Sequence, residues 1–387
     1  MRIKVNAGSP LAYDMFSRRI TVMDSAYLGI IEGFYGRPYS TQERNYFYSF
    51  AQKSGYSFYI YAPKADLQLR DEWTKPITKS YEQELGAIAD DAHQARLDFG
   101  VALSPLNLTA NFHEQKTTLL ERVSSLCAIS NCEIFCLLFD DMFKDSEHVG
   151  STQNEIIKAV EAHLPEHVKH FIICPSYYSD DPMLDKIFGQ RPQCYFDELL
   201  QDLPERVEIF WTGPKVLSED ITVEHLEYVT KLLGRKPFIW DNYPVNDGKN
   251  ICNYLYLAKF QGRTNLADHL TGHAVNPMVQ PLLSTLPAVT LPLIYAGKSE
   301  EEINRAYLDQ ARELFGSIFA MIIKYDNFNL LTHVGLKDMT EKDKIKFIEF
   351  SKVNDQPALQ EIADFIKGSQ RFDQAIINGT HIITQNQ

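Results

Sequence analysis

From position 26 onward, short apolar runs alternate with amphipathic stretches. The runs are AYLGIIEGFYG (26–36), SFYIYAPK (57–64), FGVALSP (99–105), EIFCLLFDDM (133–142), HFIICPSYY (170–178), VEIFWTGP (207–214), KPFIWDNYP (236–244) and LTGHAVNP (270–277). Most carry four or more apolar residues and are closed by Gly, Pro, Asn or Asp, the pattern of a buried strand. The last is the weakest in composition. Between them the apolar positions recur at helical spacing: TQERNYFYSFAQKSG opens with a capping box, Ser40 with Glu43, and further helices are predicted at 81–97, 117–130, 151–164, 195–203 and 222–234. The seventh connection is poorly marked as a helix.

Strands joined through helices must pair in parallel. Eight such units across 26–298 predict a (β/α)8 TIM barrel rather than an open sheet. From Ser299 the alternation stops. Helical patterns follow at 300–328, 340–353 and 356–378 with no strand between them. The expected organisation is therefore a lead segment at 1–25, the barrel at 26–298 and a small all-helical C-terminal region at 299–387. The apolar face of those last helices could serve a homodimer.

Composition narrows the function classes. The 387 residues carry a net charge of −13, which gives no basic excess to neutralise phosphate and argues against a nucleic-acid surface. No run of 18 apolar residues predicts a membrane span, and the N-terminus lacks the apolar core of a signal peptide, so a cytoplasmic location is expected. Six cysteines without a CxxC pair read as reduced thiols rather than a zinc ribbon.

Active sites of such barrels lie at the C-terminal ends of the strands. Here those ends carry EGFYG, APKAD, FDD, CPSYY, WTGPK, WDNYPVND and VNP. Turn chemistry accounts for Gly, Pro, Asn and Asp but not for the tryptophans or for two adjacent aspartates. Aromatic faces beside amide and carboxylate tips suit a sugar, with its apolar C–H faces and many hydroxyls. Asp140 and Asp141 admit three readings: a turn with a helix cap, a divalent-cation site, or an acid pair in which one carboxylate keeps the other protonated. Retaining glycosidases hold two carboxyls about 5–5.5 Å apart, within reach of neighbours at a frayed strand end. His163, His167 and His170 have ligand-like spacing, but Pro165 interrupts them, and a solvated helix end is the preferred reading.

Taken together and in order, GIIEGFYGRPYS, YAPK, LLFDDM, CPSYY, WTGPKV, WDNYPVND and NPM span 28–278 and resemble glycoside hydrolase family 84, the β-N-acetylglucosaminidases of the protein O-GlcNAcase type. The resemblance implies a retaining exo-β-N-acetylglucosaminidase that removes terminal β-linked GlcNAc, including O-GlcNAc on proteins, by substrate-assisted catalysis. The 2-acetamido oxygen attacks the anomeric carbon and an oxazoline forms. Asp140 matches the group that accepts the acetamide N–H, Asp141 the general acid, and Tyr178 the hydroxyl that holds the acetamido oxygen. Gly33, Lys64, Asn276 and Asp247 match groups that hold sugar hydroxyls. Asn242 matches a residue near the acetamido group, and Cys174, Val216 and Trp240 would line the N-acetyl methyl pocket. No metal or cofactor is implied, and the expected partner is a GlcNAc-bearing glycoprotein or oligosaccharide. Two positions depart from the pattern: Ala65 and Tyr177 stand where acidic residues are common, which bears on the aglycone. The competing readings are a metal-dependent barrel hydrolase and a non-catalytic GlcNAc-binding protein.

Overall fold

Eight parallel strands close on themselves in chain order in a computed structural model of the chain, which describes residues 26–326, 328–353 and 355–368. The strands are β1 Leu28–Glu32, β2 Phe58–Tyr61, β3 Asp98–Leu103, β4 Ile134–Leu138, β5 His170–Cys174, β6 Val207–Trp211, β7 Phe238–Asp241 and β8 Gly272–Val275. The barrel shuts where β1 meets β8 in the register Leu28↔His273, Gly29↔Ala274 and Ile30↔Val275. All eight runs form strands where the pattern placed them, including the weak GHAV. The lead segment 1–25 and the last helical pattern beyond residue 368 lie outside the described residues.

Large aromatics fill the interior. Phe58, Phe210, Phe238 and Trp240 meet edge to face, with ring centres 5.2–5.7 Å apart. Gly29 makes room for this layer: a Cβ there would stand 2.2 Å from the Phe58 ring.

The outer helices begin with α1 Thr41–Ser54, which has the predicted Ser40–Glu43 capping box. They continue with α2 Lys79–Gln94, α3 Leu108–Ser130, α4 Val149–Glu161, α5 Pro182–Phe188, α6 Tyr195–Leu200 and α7 Val223–Leu233. The short α5 falls in a stretch that the hydrophobic pattern left unassigned. Between β7 and β8 the described chain has only a 3-10 turn, Ala267–His269, where the seventh helix would stand. Side-chain bonds hold this connection instead. Arg263 meets both oxygens of Asp241 at 2.9 Å and also donates to the Ser218 carbonyl at 2.7 Å. Burial alone would raise the Asp241 carboxyl, but Arg263 and His273 outweigh it and hold the group well below the usual carboxylate range.

After β8 come α8 Pro281–Ala288, α9 Leu291–Tyr295, α10 Glu300–Phe315, α11 Phe319–Tyr325, α12 Gly335–Asp338, α13 Glu341–Val353 and α14 Pro357–Lys367. The boundary expected at residue 299 is not a break in packing. Leu314, Phe315, Phe347, Phe350, Ile362 and Phe365 share one core with Leu283 and Leu286 of α8 and with Leu255 and Leu257. Glu361 of α14 adds a polar link by accepting the Leu282 and Leu283 N–H groups at 3.0 Å at the start of α8. The apolar face of the C-terminal helices is thus used within the chain. The large apolar or aromatic side chains it leaves exposed, among the described residues, are Met321, Tyr325, Ile345 and Val353.

Candidate active site

Strand β4 delivers the two aspartates, and the backbone then separates them. Asp141 has φ +57°, a left-handed conformation that Asp tolerates better than most residues. The consecutive side chains therefore take different partners. Asp140 is buried, and its Oδ2 receives the ammonium of Lys64 from the end of β2. Its Oδ1 is also buried and has no hydrogen-bond partner within the protein. Asp141 accepts the Tyr178 hydroxyl at 3.0 Å on Oδ1 and the Tyr35 hydroxyl at 2.9 Å on Oδ2.

Both phenols are firmly protonated. Burial pushes their ionisation up, and the Asp141 and Asp140 charges push further, although Arg70 works the other way at Tyr35. They can only donate to a carboxylate. Lys64 also lies over two aromatic faces, 5.8 Å from the Tyr35 ring centre and 5.7 Å from that of Trp240. Its ammonium supplies against Asp140 the countercharge that a divalent cation would otherwise bring, which weighs against the cation reading of the pair.

The remaining predicted residues converge from neighbouring strand ends. Trp240 donates from its indole to Asn242 Oδ1 at 3.0 Å, and Asn276 Nδ2 reaches the same oxygen at 3.0 Å. Asn242 in turn donates to the Val216 carbonyl at 2.9 Å. Asn276 is buried and keeps its own Oδ1 without a partner in the protein. Gly33 lies under the indole: a Cβ there would be 2.4 Å from Trp240 Cζ2. Asp247 accepts the Tyr35 backbone N–H at 2.7 Å, and burial pushes its carboxyl up to about 7. Cys174 is buried at the end of β5; burial and then the Asp140 charge keep its thiol protonated.

Two members of the site escape sequence reasoning. Tyr35 lies inside EGFYG, where only the glycines drew attention. Arg70 follows a 3-10 turn, Leu67–Leu69, and lies 5.9 Å from the Tyr35 ring centre while donating to Ser104 at 2.7 Å. No spacing rule points to it. Tyr177, by contrast, leaves the site: its hydroxyl donates to the Gly189 carbonyl at 2.8 Å and its ring packs on Tyr195. The three histidines also part company, His163 bonding Ser124 at 2.7 Å and His170 bonding Glu208 at 2.7 Å.

A closed parallel barrel whose strand ends hold paired acids, phenol donors, amides and an indole is the framework of a glycoside hydrolase. More specifically, the chain belongs to the β-N-acetylglucosaminidase family, whose model matches residues 28–323. Over 259 residues it is 32% identical to protein O-GlcNAcase of Rattus norvegicus and to that of Mus musculus, covering 64% of this chain and 28% of each relative. It thus spans less than a third of the length of these curated relatives. An O-GlcNAc hydrolase variant of Thermobaculum terrenum has a similar structure, with a TM-score of 0.69 at 26% identity, covering 94% of this chain and 79% of that one. No helix among the described residues is long and apolar enough to cross a membrane.

Proposed function

We propose that the chain is a retaining exo-β-N-acetylglucosaminidase in which the substrate's acetamido group is the nucleophile. The observation that carries this reading is the pair of unlike aspartates, and above all the buried, unpartnered Oδ1 of Asp140. A buried acceptor without a partner is costly, by about 1–3 kcal/mol. An acetamide N–H would satisfy it, and would at the same time turn the acetamido oxygen toward the anomeric carbon. The Tyr178 hydroxyl now donates to Asp141 at 3.0 Å; with substrate bound it would turn its proton to that oxygen.

In the first step a bond forms between the acetamido oxygen and the anomeric carbon while the bond to the leaving oxygen breaks. Asp141 gives its proton to the leaving oxygen, and Asp140, paired with Lys64, stabilises the positive charge that grows on the amide. In the second step Asp141 takes a proton from water as it opens the oxazoline. Asn276 Oδ1, Asp247 and Lys64 are assigned to sugar hydroxyls, Trp240 and Asn242 to the acetamido side, and Cys174 and Val216 to the methyl group. Gly33 lets the indole approach.

GlcNAc attached to protein is the substrate we favour, because the rat and mouse relatives are named protein O-GlcNAcase. We further place the protein in a reducing, cytoplasmic compartment, a reading supported by its six unbridged cysteines. A homodimer, if formed through the C-terminal region, would use the exposed Met321, Ile345 and Val353. The experiment that tests the reaction is a series of aryl glycosides with successively fluorinated N-acetyl groups. Rates falling with each fluorine support acetamido attack; a flat series excludes it. No release of aryl alcohol from any member would indicate a binding protein instead.

A further inference from the structure

On the outside of the barrel, His148, Cys194 and Glu198 bring an imidazole nitrogen, a thiol sulfur and a carboxylate oxygen to one point, with all three atoms within 4.8 Å of one another. The His148 Nδ1 to Glu198 Oε1 distance is 2.6 Å, and that from Cys194 Sγ to the same oxygen is 3.2 Å. We propose that these three side chains form a site for one thiophilic divalent cation, with Zn2+ the best fit.

Four features support the site. First, the donor set of nitrogen, sulfur and oxygen is one that zinc accepts, and thiolate with carboxylate neutralises its charge. Second, the spacing is close to that of a bound ion. A tetrahedral zinc shell has ligand-to-ligand edges of about 3.3–3.5 Å, given bonds of about 2.0 Å to N or O and 2.3 Å to S. The Cys194–Glu198 distance of 3.2 Å nearly matches, and the His148–Glu198 pair, now 2.6 Å apart, needs to open by about 0.7 Å, which the exposed imidazole can do by turning. Third, the supporting bond exists already. The Ser151 N–H donates at 3.3 Å to Glu198 Oε2, orienting the carboxylate while Oε1 faces the other two ligands. Fourth, the histidine and the thiol do no capping work in the local structure. His148 and Cys194 each precede a helix, α4 and α6, yet neither side chain caps it. Cys194 is also the single cysteine of the six that is not buried.

Cys194 stands just before α6 and Glu198, four residues on, within it, while His148 comes from the connection that follows β4. A bound ion would therefore tie the β4–α4 connection to the β5–α6 connection. The first carries Asp140 and Asp141, the second Tyr178. None of the three ligands hydrogen-bonds to those residues, so the site is a staple for the two connections rather than part of the acid pair. On binding, the thiol proton that now points at Glu198 goes to solvent.

The test uses the full chain without a polyhistidine tag, stripped by a chelator and dialysed against Zn2+ or Co2+. The expected result is one retained Zn2+ per chain, a thiolate-to-cobalt charge-transfer band with Co2+, and a rise in melting temperature with Zn2+. Cys194→Ser should abolish the band, and both it and His148→Ala should weaken Zn2+ binding by more than about tenfold. Asp140→Asn should keep the ion, which separates this site from any metal at the acid pair. Zn2+ affinity unchanged in both ligand variants, or a cobalt spectrum of the native chain without the thiolate band, would overturn the proposal.

Discussion

Asp140 and Asp141 adjoin in the chain and face different partners: the first meets the Lys64 ammonium, the second the hydroxyls of Tyr178 at 3.0 Å and Tyr35 at 2.9 Å. A single left-handed residue, Asp141 at φ +57°, makes the separation. Two like charges side by side are thereby given two environments, which is how one pair of carboxyls can play two roles.

Lys64 pairs with Asp140 in a buried site, so its removal should leave the Asp140 carboxyl without that partner. Lys64→Met is expected to cost about 3 kcal/mol of stability. The double variant with Asp140→Asn should regain most of that, since neither charge remains. Chemical denaturation of the two single variants and the double closes the cycle. Strictly additive losses would mean that the two groups do not interact.

Gly33 is the floor on which the Trp240 indole rests, 2.4 Å from where a Cβ would stand. Gly33→Ala should push the indole, and with it Asn242, out of position. The chain should still fold, with an unchanged circular dichroism spectrum, while kcat/KM falls by about 10²-fold. A variant with unimpaired kinetics would remove Gly33 and Trp240 from the site.

Burial pushes the Asp247 carboxyl up to about 7. It is protonated below that pH and an acceptor above it. The kcat/KM profile of the native chain should therefore show a limb near 7 that Asp247→Asn lacks. Stability moves with the same proton. A carboxyl whose folded value lies above its unfolded one stabilises fully below about 4 and loses that contribution as pH rises through about 7. Relative to the native chain, Asp247→Asn should gain in melting temperature over that window, and a constant difference would contradict the assignment.

Much of this architecture was legible because barrel strands are buried on both faces and announce themselves as apolar runs. GHAV was the hard case. Its His273 looks polar, yet it is paired inside the core with Asp241 at 3.0 Å and Tyr295 at 2.8 Å, partners no local pattern reveals. The missing seventh helix was foreshadowed by the Asn, Gly and Pro content of 242–271, but its replacement, the Arg263–Asp241 pair, is a contact across 22 residues. For α5 the signal existed: Asp181 caps it and Pro182 stands in its first turn. The site residues came through family resemblance and strand-end position. Tyr177 and Tyr178 part because adjacent residues at a strand end point opposite ways, and Arg70 was missed because only tertiary folding brings it over Tyr35.

The central claim is that Asp141 gives a proton while Asp140 keeps its charge. The most direct measurement compares Asp141→Ala and Asp140→Asn on aryl N-acetylglucosaminides spanning poor to good leaving groups. A good leaving group needs no proton. Asp141→Ala should therefore lose about 10²–10⁴-fold on the poorest substrate and little on the best, whereas Asp140→Asn should lose on all of them. Equal dependence on leaving-group acidity in the two variants would contradict the division of roles.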